Sequence, residues 1–106
     1  MVTPEKLAEL ESAHGRIGVV THPDGKSWVL VLRHPRRVEY KMFRQYAANE
    51  QKKTEAQETL VKQTCVWPET PAALDALLDE WPGIPEACGA TLMSLAGMSG
   101  LEQGKL

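Results

Sequence analysis

Arg16-Ile17-Gly18-Val19-Val20-Thr21-His22 and Ser27-Trp28-Val29-Leu30-Val31-Leu32-Arg33, joined by Pro23-Asp24-Gly25-Lys26, decide the fold. Both outer runs are rich in β-branched and large apolar residues, which suit a pleated, half-buried surface. The joint holds the chemistry of a tight turn: Pro fixes φ, Asp bonds back to the backbone, and Gly accepts a positive φ. A β-hairpin follows. Everything around it has helical spacing, so the chain is expected to be α+β, a short N-terminal helix and β-hairpin followed by a bundle of about four helices.

Upstream, Thr3-Pro4-Glu5-Lys6 carries a capping residue, a proline at the first helical position and an acid at the positive end of the dipole. Leu7 and Leu10 share a face of the helix this starts, and His14-Gly15 is its stop. Downstream, Val38, Met42 and Tyr46, flanked by Phe43 and Ala47, form an aromatic core stripe, with Arg36, Arg37, Glu39, Lys41, Arg44 and Gln45 in the remaining directions. Asn49 to Glu55 holds no apolar side chain and is expected to connect two helices. Ala56, Leu60, Val61, Thr64 and Cys65 give the next stripe, ended by Trp67-Pro68. Thr70-Pro71 opens a helix with Leu74, Leu77, Leu78 and Trp81 inward. The last helix begins near Ile84-Pro85-Glu86, places Ile84, Cys88, Leu92 and Leu95 on one side, and stops at Gly97 to Gly100. The expected organisation is one domain: 1–34 as helix plus hairpin, 35–101 as the helical part, and 102–106 as a frayed tail.

A chain of 106 residues, 42% hydrophobic and 25% charged, has the composition of a globular domain. No basic stretch leads into an apolar one at the start, and no run reaches the roughly 20 apolar residues of a membrane span, so a cytoplasmic location is expected. The net charge of −2 hides an asymmetry. Residues 1–34 are neutral, 35–66 carry +3, and 67–106 carry −5. Either the basic and acidic regions face each other within the fold, or one of them faces a charged partner. A +3 region is far below the footprint of a nucleic-acid binder.

No catalytic constellation is visible. His14, His22 and His34 lack the close spacing that zinc ligands show, and Cys65 and Cys88 are separate from each other and from histidine, so no metal or cofactor is expected. Cys65 lies on an apolar stripe, where a thiol packs and stays inert. Asp75, Asp79 and Glu80 occupy the outer face of their helix, the place for solvated charge rather than paired acid and base. Gly97-Met98-Ser99-Gly100 lacks the Lys-Ser/Thr pair of a phosphate loop. Trp28 and Trp67 read as core residues or as interface anchors. The segment Ala87 to Met98 has no charge on any face, so it is either more deeply buried than its neighbours or offers Met93 and Met98 to a partner.

One further signal lies in the order of several segments: Glu11-Ser12-Ala13-His14-Gly15, the hairpin end Leu32-Arg33-His34-Pro35, Arg37-Val38-Glu39-Tyr40-Lys41-Met42-Phe43, Leu60 to Pro68, and Leu77-Leu78-Asp79-Glu80-Trp81-Pro82-Gly83-Ile84. In that order they resemble the small tail assembly chaperones of tailed bacteriophages and prophages. The resemblance implies a non-enzymatic protein of the host bacterial cytoplasm that binds the tape measure protein and keeps it soluble during tail morphogenesis. It also implies self-association, as is frequent among such proteins. Partner contacts are expected at Tyr40, Phe43, Tyr46, Met93 and Met98. The alternative is a phage-encoded regulator or inhibitor that binds a host bacterial protein through Arg36, Arg37, Lys41 and Arg44.

Overall fold

The computed structural model describes residues 2–97. Among them, five α-helices and one three-stranded antiparallel sheet make an α+β fold. Helix α1 spans Pro4–His14, with Thr3 Oγ1 accepting from the Lys6 amide at 3.1 Å. Gly15 ends the helix at φ 86°, a conformation that favours glycine. Strands β1 (Ile17–Thr21) and β2 (Val29–Arg33) form the hairpin in a register that sets Gly18 opposite Leu32 and Val20 opposite Leu30. In the turn, the Asp24 carboxylate accepts from the amides of Lys26 and Ser27 and from the Ser27 hydroxyl. These bonds, the hydroxyl's first among them, hold that carboxyl far below its usual range.

Helix α2 (Arg37–Ala48) follows, then a 3₁₀ turn at Lys53–Glu55 and α3 (Ala56–Thr64). A third strand, β3 (Cys65–Trp67), pairs with β2 and makes it the central strand. This corrects the sequence reading in two ways. Cys65 leaves the helix for the sheet, and the expected bundle of helices over 35–101 is interrupted by a strand. The cause is local and tertiary at once. The residue before a proline is driven from helical geometry, and β2 offers an open edge at Val31 and Leu32 for the extended segment to pair with. Helices α4 (Pro71–Glu80) and α5 (Ile84–Leu95) complete the chain. The stop expected over Gly97 to Gly100 falls partly, and the tail 102–106 wholly, outside the described residues.

The core explains the arrangement. Trp28, Leu30 and Leu32 point to one side of the sheet and meet Leu60 and Val61 of α3, Leu74 and Leu78 of α4, and Ile84, Cys88, Leu92 and Leu95 of α5. Val31 and Leu10 are buried apart from this cluster. The central strand is therefore covered on both faces, which suits its unbroken apolar run. Helix α5 lies against β1 at Gly18, where a Cβ would sit 2.6 Å from Thr91 Cγ2. Only the absent side chain permits that approach. No described helix is long and apolar enough to cross a membrane.

Candidate functional site

Helix α2 differs from its neighbours because none of its residues is fully buried. It rests on α3 through a half-buried stripe of Glu39, Tyr40, Met42, Phe43 and Tyr46. Val38, expected to lead the core stripe, is 68% exposed. Met42, Phe43 and Tyr46 lie inward as expected, whereas Ala47 is exposed and, in the first turn, Glu39 and Tyr40 take the inward side in place of Val38. The reason for that exchange is an ion pair.

Arg33, at the end of β2, is only 8% exposed and grips both carboxylate oxygens of Glu39, at 2.9 and 2.7 Å. It also donates to the carbonyls of His34 and Gln63, at 3.1 and 2.8 Å. Glu39 in turn accepts from the Arg36 amide at 2.9 Å, capping its own helix. The guanidinium is the main reason the Glu39 carboxyl is held below its ordinary value. A paired, hydrogen-bonded charge thus occupies the inward position that hydrophobic periodicity assigned to Val38.

With Glu39 turned inward, the outer side of the first turns of α2 is left to cations. Arg36, Arg37, Lys41 and Arg44 line one groove with Val38, Tyr40 and Pro35 from the same segment, closed on the far side by Arg16 and Ala96. Its volume is about 810 Å³. Arg16 is fixed by donating to the Leu95 carbonyl at 2.8 Å. Arg44 stacks over the Tyr40 ring at 5.7 Å. Among the described residues, none of these five cations forms an ion pair with a carboxylate. The two charged regions of the chain are joined among those residues by a single ion pair, Lys62 to Asp75 at 3.6 Å, so the basic helix does not face the acidic one within the fold.

Of the expected contact residues, three come together. The Tyr40 ring lies 5.8 Å from that of Phe43, and its hydroxyl donates to Met93 Sδ at 3.7 Å across the junction of α2 and α5. Tyr46 is engaged separately, by Lys52 Nζ at 5.0 Å from its ring. Met98 lies outside the described residues. Tyr40 alone belongs to both this cluster and the groove. The sequence reading places Arg16 only as the first residue of a strand run, not as part of a site. No local signal marks it, because the main-chain carbonyl that orients it belongs to Leu95, 79 residues away. Helix α5, charge-free after Glu86, turns Cys88, Leu92 and Leu95 inward and shows solvent only small residues such as Ala87, Ala90 and Ser94 along its middle.

The remaining chemistry is muted. Burial pushes the thiols of Cys65 and Cys88 up, to about 11 and about 12, so neither is a thiolate at neutral pH. Trp28 is a core residue, and Trp67 is half-buried in β3. No three His, Cys, Asp or Glu side chains converge as metal ligands among the described residues.

Residues 10–105 match the family described as Domain of unknown function (DUF6848). The chain belongs to that family. The match begins inside α1 and takes in both walls of the groove, Arg16 on one side and the α2 residues on the other. No curated protein and no solved structure matches the chain.

Proposed function

We propose that this DUF6848 protein is a non-enzymatic tail assembly chaperone of a tailed phage or prophage. It works in the cytoplasm of the host bacterium, where it binds the tape measure protein and keeps it soluble until the tail tube polymerises around it. The order of segments that resembles those chaperones supports the role, as does the pattern of a hairpin followed by proline-punctuated helices. One observation carries the argument for protein binding: α2 exposes Val38 beside Tyr40 and a row of cations that form no ion pair among the described residues, a surface that the fold does not use for its own core. The protonated thiols of partly buried Cys65 and buried Cys88 agree with a role that needs no nucleophile.

Co-expression with the tape measure protein encoded nearby tests this role. The expected result is a soluble tape measure protein that co-elutes with this chain on gel filtration. A tape measure protein that stays insoluble, with no complex, contradicts it.

The second reading, a regulator that binds a host bacterial protein, is favoured by the convergence of Arg36, Arg37, Lys41 and Arg44 on one groove. It predicts capture of one host protein in place of the tape measure protein, and loss of that capture when the four charges are reversed.

A further inference from the structure

We infer that the groove between Arg16 and the first turns of α2 receives an acidic, amphipathic segment of the partner protein, carboxylates against the cations and an apolar edge against Val38 and Tyr40. The inference deepens the protein-binding reading by naming the chemistry of the segment that is bound.

Three features point to this occupant. The first is charge with no ion-pair partner among the described residues. The nearest carboxylate in sequence, Glu39, is engaged by Arg33 and by the Arg36 amide; it attracts the Arg36 side chain but forms no ion pair with any of the groove's cations. The second is the helix end itself. The amides of Arg37, Val38 and Glu39 open a helix of 12 residues and have no main-chain acceptor among the described residues, adding the positive end of a dipole at the same mouth. The third is preorganisation. Arg16 is held by the Leu95 carbonyl and Arg44 by the Tyr40 ring, and each keeps further N–H donors for a carboxylate.

The apolar part of the lining selects among anions. A phosphate track needs cations alone, but here Val38, 68% exposed, lies among them with Tyr40 and Pro35. The chain as a whole carries −2, and its 67–106 region −5, which opposes a long polyanion. A segment with glutamates or aspartates beside leucines satisfies both parts of the lining. The volume of about 810 Å³ lies in the range of ligand-binding clefts.

The test uses the full chain and a fluorescein-labelled helical peptide with glutamates on one face and leucines on the adjacent one, read by anisotropy. A second peptide carries glutamine in place of each glutamate. The expected result is saturable binding of the glutamate peptide, weakened by rising salt. Binding is expected to be at least about tenfold weaker for the glutamine peptide and for the Arg37→Glu/Arg44→Glu protein, with an unchanged melting temperature. Val38→Ser is expected to weaken it several-fold. No binding, equal binding of the two peptides, unchanged binding by the double variant, or displacement by an equimolar single-stranded oligonucleotide overturns the inference.

Sedimentation of the free protein covers the remaining occupant. Self-association that is lost both in Arg37→Glu/Arg44→Glu and in Asp79→Lys/Glu80→Lys would give the groove to the acidic α4 face of a second copy, and also overturns it. The inference and the chaperone role fail separately. Peptide binding without tape measure capture removes the role and keeps the groove, whereas capture that survives the double variant removes the groove and keeps the role.

Discussion

Helices α5 and α2 have the same length, 12 residues, and opposite relations to the rest of the molecule. Five residues of α5 are buried, and it approaches β1 closely enough that Gly18 must lack a side chain there. No residue of α2 is buried, and it is held by a stripe of half-buried side chains and one ion pair. Yet α2 has the more strongly segregated sequence of the two, with charges on one side and aromatic residues on the other. Segregation of polar from apolar residues therefore does not measure burial. A helix can divide its faces between a core and a partner as readily as between a core and water.

The comparison breaks most visibly in the core. Leu92→Ala should cost about 3 to 4 kcal/mol, since Leu92 is wholly buried and the sheet and helices around it cannot collapse into the space. Chemical denaturation would show this as a lower midpoint at unchanged slope. Were the cost under about 1 kcal/mol, α5 would not be the dry side of the molecule.

Arg33→Ala should come next, at about 2 to 3 kcal/mol, because it strands a largely buried Glu39 carboxylate. The same variant sharpens the point through pH. Glu39 titrates below its ordinary value of 4.5 in the folded chain, so its contribution is complete above that value and is lost as pH falls through the depressed one. The stability gap between wild type and Arg33→Ala should be largest at neutral pH and shrink in acid. A gap that grows in acid would contradict the pairing.

Gly18→Ala is expected to cost about 1 to 2 kcal/mol, as the new methyl forces Thr91 and α5 outward. Val38→Ala should fall within about 0.5 kcal/mol of wild type, although it truncates a large apolar side chain. A substantial loss there would return Val38 to the core and remove the groove's apolar edge.

Apart from Cys65, which it gave to α3, periodicity read α3 and α5 correctly because their partners are other apolar side chains, and hydrophobic spacing reports on such partners. Leu60, Val61, Cys88 and Leu92 all lie inward as that spacing requires. The turn at Pro23 to Lys26 was equally legible, since its bonds run between residues two or three apart. Two features were not. Strand β3 depends on an edge of β2 that lies more than 30 residues earlier in the chain, and three residues are too few to show a β pattern. The exchange of Val38 for Glu39 on the inward side of the first turn of α2 depends on Arg33, outside the helix, which makes a charged residue the better inward choice than a valine. The basic groove was legible on its α2 wall and hidden on its Arg16 wall for the same reason.

Hydrogen–deuterium exchange on this chain, free and in complex with the tape measure protein, tests most directly whether α2 is the surface kept for a partner. The account predicts new protection at the start of α2, strongest at the amides of Arg37, Val38 and Glu39, and none in the core strand β2, already slow to exchange. Protection confined to the hairpin turn or to the acidic face of α4, with residues 36–44 unchanged, would contradict it.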